Sequence, residues 1–230
     1  MIVAKLIYHF QFPDGHRESL QVVPEDTGTP GRELPDWTRL EFEQCPNCPL
    51  TPSQSPRCPM AVRYVPLIEL FGKVRSYEEV TAEVETDERT TTKRTAVQRV
   101  LRSLMGLLAA SSDCPHVTFL KPMAHFHLPF ASKDETVFRV ASSYLLAQYF
   151  LRKEGKESDP GLEGLKAHYR NLQHVNGGMA KRIGAIEVED GALNALVLLD
   201  LFAQSLPDSI DADLEELQPA FEKILNVESG

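Results

Sequence analysis

Four cysteines carry the clearest chemical signal in this 230-residue chain, and each is followed by proline: Cys45-Pro46, Cys48-Pro49, Cys58-Pro59 and Cys114-Pro115. Cys45 and Cys48 have the two-residue spacing of a metal knuckle, in which one tight turn presents two thiolates to a single ion. Cys58 follows after nine intervening residues and Cys114 lies far downstream. Proline after each cysteine fixes the loop and leaves later amides free to donate to sulfur. Read as one ligand set, Cys45, Cys48, Cys58 and Cys114 fit tetrahedral zinc with no open position, a structural site. The same thiolates fit an iron–sulfur cluster, the leading alternative. Remaining readings are no metal, transient disulfides, or haem at a Cys-Pro pair. The competing view of each thiol is a small buried side chain.

Histidines supply a second candidate group. His116, His125 and His127 follow Cys114 closely. In extended backbone His125 and His127 share one face. They would then bind metal, or support acid–base chemistry with Glu135. His125 is also an alternative fourth ligand in a Cys3His site. The competing reading packs Met123, Phe126, Leu128 and Phe130 while the histidines satisfy local hydrogen bonds. The chain has no phosphate-cradling Gly-rich loop followed by Lys-Ser/Thr, no HExxH and no GxSxG, so a non-catalytic protein is expected. Arg139, Arg170 and Arg182 lie on expected helices, where a solvated face is the default.

Several elements must position these groups. Residues 2–12 alternate in polarity, Pro13-Asp14-Gly15 signals a turn, and Ser19 to Val23 return, which predicts a hairpin. Residues 24–66 hold nine of the sixteen prolines and cannot be mostly helix or central strand. So long a segment needs a source of order. A bound metal would provide it, with Trp37, Leu40 and Phe42 pinning part to the core. Met60 to Phe71 predicts a short helix stopped at Gly72. Residues 78–94 predict a second hairpin, with Glu83 and Glu85 opposite Arg89 and Lys93.

Thr95 to Ala110 is an amphipathic helix with Val97, Val100, Leu101, Leu104, Met105 and Leu108 on one face. Residues 114–132 read as irregular or extended. A helix capped by Ser132 or Asp134 is expected to run to about Lys153. Another opens at Asp159-Pro160 and ends near Asn176-Gly177-Gly178. Helices over 190–205 and 211–225 complete the chain. The fold class is therefore α+β: antiparallel hairpins in the N-terminal half pack on a mainly helical C-terminal half. The chain reads as one domain, 1–230, with a strand- and loop-rich part (1–94) and a helical part (95–230).

The motifs Cys-Pro-Asn-Cys-Pro-Leu at 45–50, Cys-Pro at 58–59 and Met-Ala-His-Phe-His-Leu-Pro-Phe at 123–130 resemble an uncharacterised bacterial protein family, a domain of unknown function. The resemblance implies a bacterial source and one domain, and it carries no activity or assigned residues.

Composition bounds the partners. A net charge of −9 argues against broad nucleic-acid binding, which needs a basic surface. The apolar run from Ala192 to Ala203, interrupted by Asn194 and Asp200, is too short to span a bilayer. The expectation is a cytoplasmic protein with reduced thiols, no membrane partner, and a recognition or regulatory role through an unidentified protein partner. A metal-dependent enzyme using His125 and His127 is the remaining alternative.

Overall fold

In the computed structural model, residues 5–25 and 33–226 are described. The first hairpin pairs β1 (Leu6–Gln11) with β2 (Arg17–Val22), and the second pairs β3 (Glu79–Glu85) with β4 (Thr90–Ala96). All pairings are antiparallel, and the strand order is β2-β1-β3-β4. Strand alternation sends Leu6, Tyr8 and Phe10 of β1, and Val80, Ala82 and Val84 of β3, to one buried face. The other face carries charge. The register places Lys93 against Ala82 and Thr92 against Glu83, so the expected Glu83 and Glu85 pairs with Arg89 and Lys93 do not form. Glu85 instead meets His9, and Glu79 meets Arg94.

Helices cover the buried face. α1 (Pro59–Phe71) starts at Pro59 and runs through Pro66 without stopping. α2 (Val97–Ala110) follows β4 directly, and its whole apolar face is buried, from Val97 to Ala110. A 3-10 helix, Pro115–Leu120, leads into α3 (Lys121–His125). This segment is helical where extended backbone is expected, because prolines 115 and 122 both occupy first-turn positions that need no N–H donor.

α4 (Lys133–Lys153) opens with a capping box, in which the Glu135 amide donates to Ser132 Oγ at 3.1 Å and the Ser132 amide donates to Glu135 Oε2 at 2.7 Å. α5 (Glu163–Gly184) starts later than Asp159-Pro160 suggests. Asp159 accepts from the amides of Gly161 and Gly164 at 3.1 and 2.7 Å and holds the turn before the helix. α5 then continues through Asn176-Gly177-Gly178 instead of ending there. α6 (Asp190–Leu217) is one helix through Pro207, not two, and packs along α2 and α5. A 3-10 helix, Gln218–Phe221, and α7 (Glu222–Leu225) end the described chain.

The proline-rich segment has its own sources of order. A 3-10 helix, Asp36–Thr38, buries Trp37, and Leu40 is 1% exposed. The segment closes at its neck: Arg39 and Arg57 form an antiparallel bridge, the Cys58 amide donates to Thr38 O at 2.8 Å, and Arg57 Nη1 donates to Pro35 O at 2.8 Å. Residues 26–32 of it, like residues 2–4 of the expected first strand, lie outside the described residues.

Candidate functional site

The four Cys-Pro pairs adopt two geometries. Cys58 is the residue before α1, with φ −70° and ψ 117°, and Cys114 precedes the 3-10 helix at φ −67° and ψ 122°. A residue before proline is driven to extended backbone, and proline is favoured at the first helical position. Cys-Pro is thus a ready helix start that places a thiol beside amides lacking intrahelical partners. At Cys114 the His116 amide donates to the sulfur. The second geometry is the knuckle, where the Cys48 amide donates to Cys45 O at 3.0 Å and closes a turn over Pro46-Asn47.

The knuckle docks on α5. Asn47 Nδ2 donates to Asn171 O at 3.1 Å and to Asn171 Oδ1 at 3.3 Å. Cys45 Sγ lies 3.9 Å from Val175 O and packs over Gly178, where a Cβ would stand 2.6 Å from the sulfur. His116 Nε2–H donates to Asn47 O at 2.7 Å and ties the knuckle to the segment after Cys114. The double glycine that reads as a helix end in the sequence is therefore, at Gly178, a slot for Cys45.

The thiols share one electrostatic neighbourhood. Burial pushes the Cys45 thiol up to about 11, the Cys58 and Cys48 thiols add to the rise, and Arg182 opposes it. Burial pushes Cys114 up to about 12; the His116 amide opposes this, and Cys58, Cys45 and Cys48 add to it. Cys45 thus feels Cys58 and Cys48, and Cys114 feels the other three. All four are free thiols, Cys58 and Cys114 buried and Cys45 and Cys48 half-buried. Among the described residues, no three His, Cys, Asp or Glu side chains have an arrangement that would hold a metal ion.

Arg182 borders this neighbourhood and is 1% exposed. Its Nη1 donates to Trp37 O at 2.8 Å and Arg39 O at 2.6 Å, and its Nη2 donates to Leu40 O at 2.8 Å. It thereby binds the proline-rich segment to α5, where the sequence reading places it on a solvated face. The missed signal is its spacing: Arg182 falls three residues after Met179 and seven after Val175, on the apolar stripe of α5. Its carbonyl partners supply hydrogen bonds but no full negative charge.

The three histidines part company. His116 serves the knuckle. His125 is the last residue of α3, with Nε2 4.0 Å from Glu25 Oε1. His127 lies beyond the helix, its Nε2 2.6 Å from the Tyr8 hydroxyl, and burial, reinforced by Arg139, lowers its pKa to about 3. His125 and His127 thus do not share a face, because the backbone before them is helical. Glu135 is spent in the α4 capping box. Tyr8, which the sequence presents only as a strand residue, also lies 3.4 Å from Ser103 Oγ.

A four-stranded antiparallel sheet faced by helices, with thiols gathered where a proline-rich segment meets α5, defines an α+β protein. The chain belongs to the family described as a domain of unknown function, DUF6901, whose model matches residues 6–222. No curated protein and no solved structure matches it. No helix among the described residues is long and apolar enough to cross a membrane.

Proposed function

We propose that Cys45, Cys48, Cys58 and Cys114 bind one zinc ion as a tetrathiolate, and that the site is a non-catalytic staple between residues 33–58, α5 and the segment after α2. The observation that carries this reading is the His116–Asn47 hydrogen bond of 2.7 Å, which holds the Cys45–Cys48 knuckle against the segment that begins at Cys114; the raised pKa values of Cys45 and Cys114, to which Cys58 and Cys48 contribute, agree with it. Two further features suit thiolates. Cys58 and Cys114 stand at helix starts, where the amides present partial positive charge. Arg182 brings a buried cation whose guanidinium donates to backbone carbonyls, and a zinc tetrathiolate carries net negative charge. Binding draws the sulfurs to about 2.3 Å from a common centre, a tighter grouping than the free thiols adopt. The protein then acts in recognition or regulation through the surface that this staple holds.

Metal analysis tests the reading. Protein purified anaerobically under reducing conditions is expected to hold one zinc per chain and to be colourless. Chelation is expected to lower its Tm, since binding to the native state alone adds stability by mass action. Iron with acid-labile sulfide would replace zinc by the iron–sulfur reading on the same thiolates. Less than one equivalent of either metal, with folding unchanged by chelation, overturns both.

A further inference from the structure

A cavity of about 440 Å³ opens between α2, α4, α5 and α6, within the range of small-molecule sites of roughly 300–1,000 Å³. Its walls are mostly apolar, including Met60, Leu107, Leu172 and Leu199. Against this apolar body stand Arg102, Lys133 and Arg139, and no aspartate or glutamate lines the walls, although the chain carries a net charge of −9. Lys133 is neutralised by Asp213 at 2.7 Å, and Arg139 donates to Met123 O and Phe126 O at 3.0 and 2.7 Å. Arg102 is different. It is half-buried, and its one hydrogen bond among the described residues is a long contact of 3.5 Å to Ala131 O.

A second, independent feature points to a ligand. Asn176 lines the same cavity, is 3% exposed, and its Nδ2 has no hydrogen-bond partner. A buried amide donor left unpaired is costly, and a ligand acceptor would remove that cost. Leu201, Lys133 and Ser205 are exposed wall residues and mark the mouth.

We infer that this cavity binds an amphipathic monoanion, an aliphatic chain with a carboxylate head, with Arg102 holding the head and Asn176 donating to it. Burial of the chain against leucine and methionine supplies affinity, and the Arg102 guanidinium, held only by its long contact to Ala131 O among the described residues, selects the charge. Arg102 suits a carboxylate because its planar fork can donate two parallel bonds. The inference does not depend on the metal reading, since none of the four cysteines lines the cavity.

Calorimetric titration of the full chain with dodecanoate, 1-dodecanol and dodecyltrimethylammonium tests it. Dodecanoate is expected to bind one to one, and the alcohol and the cation at least about tenfold more weakly, as loss of a charged hydrogen bond implies. Arg102→Ala is expected to weaken dodecanoate by about tenfold or more and to leave dodecanol unchanged. Gly106→Leu fills the cavity from α2, where a Cβ meets only Leu199 at 3.8 Å, and is expected to abolish binding with helical content retained. If Gly106→Leu does not fold, the Arg102→Ala comparison decides alone. Absence of dodecanoate binding at millimolar concentration, equal affinity for the alcohol, or unchanged affinity in Arg102→Ala overturns the inference.

Discussion

Gly177 and Gly178 are neighbours on α5 with opposite surroundings, so alanine at each is expected to act with opposite sign. In a helix interior, glycine costs roughly 0.5–1 kcal/mol relative to alanine through backbone entropy. A Cβ at Gly177 has nothing within 4 Å, so Gly177→Ala should stabilise the protein by about that amount. A Cβ at Gly178 would stand 2.6 Å from Cys45 Sγ and 3.5 Å from Cys45 Cα and Cβ. The sulfur must move off α5, and the knuckle with it, since Asn47 and His116 also hold that turn. Overpacking of this kind costs about 1–3 kcal/mol. The propensity gain is common to both variants, so their difference isolates the clash: Gly178→Ala should be less stable than Gly177→Ala by about 1–3 kcal/mol.

Urea unfolding of reduced, chelated protein measures this with no metal contribution, and an unchanged m-value keeps the comparison valid. A double-mutant cycle adds a stricter check. In Cys45→Ala the sulfur is gone and the nearest atoms at Gly178 stand at an ordinary 3.5 Å, so Gly178→Ala should become neutral or stabilising in that background. Equal effects at 177 and 178, or no relief by Cys45→Ala, would refute the reasoning and the docking of the knuckle on α5.

Two further outcomes follow from buried groups. Arg182→Met leaves the carbonyls of Trp37, Arg39 and Leu40 without their donors; a loss of roughly 2–4 kcal/mol is expected, with faster limited proteolysis within 33–58, and stability within about 0.5 kcal/mol of the native chain would contradict it. His127 is held neutral by burial and by Arg139, down to a pKa of about 3, against about 6.5 in an unfolded chain. The unfolded state therefore binds the proton first, and stability falls as pH drops from about 6.5 towards 3. His127→Gln should flatten that fall most visibly between about pH 6.5 and 5, above the ordinary carboxylate range; an unchanged slope in urea midpoints against pH would sink the assignment.

Much of the fold is legible in the chain because its signals are local. Alternation along Leu6 to Gln11, the apolar stripe of Val97 to Ala110 and the Ser132–Glu135 cap each depend on residues a few positions apart, and each forms as read. The errors come where two local signals compete. Asn176-Gly177-Gly178 reads as a helix stop, yet α5 continues because packing against α6 and the 33–58 segment outweighs the glycine cost. Residues 114–132 read as irregular or extended, yet prolines 115 and 122 fall in first-turn positions, where a helix tolerates them. Pro207 likewise sits inside a long helix whose other turns are held by burial of Ala203, Leu206 and Ile210.

The candidate site divides along the same line. The sequence alone determined that four cysteines precede four prolines, and that chemistry sets the local backbone: two of them start helices, and two bracket one turn. Only the tertiary structure decided what surrounds them. Gly178 admits the Cys45 sulfur, Arg182 reaches three carbonyls across more than a hundred residues of chain, and Arg102 and Asn176 line one cavity from two helices. Such contacts depend on how α5 lies against a distant loop and against α2. No local propensity encodes that angle, because it is set by the joint packing of every apolar face in the core.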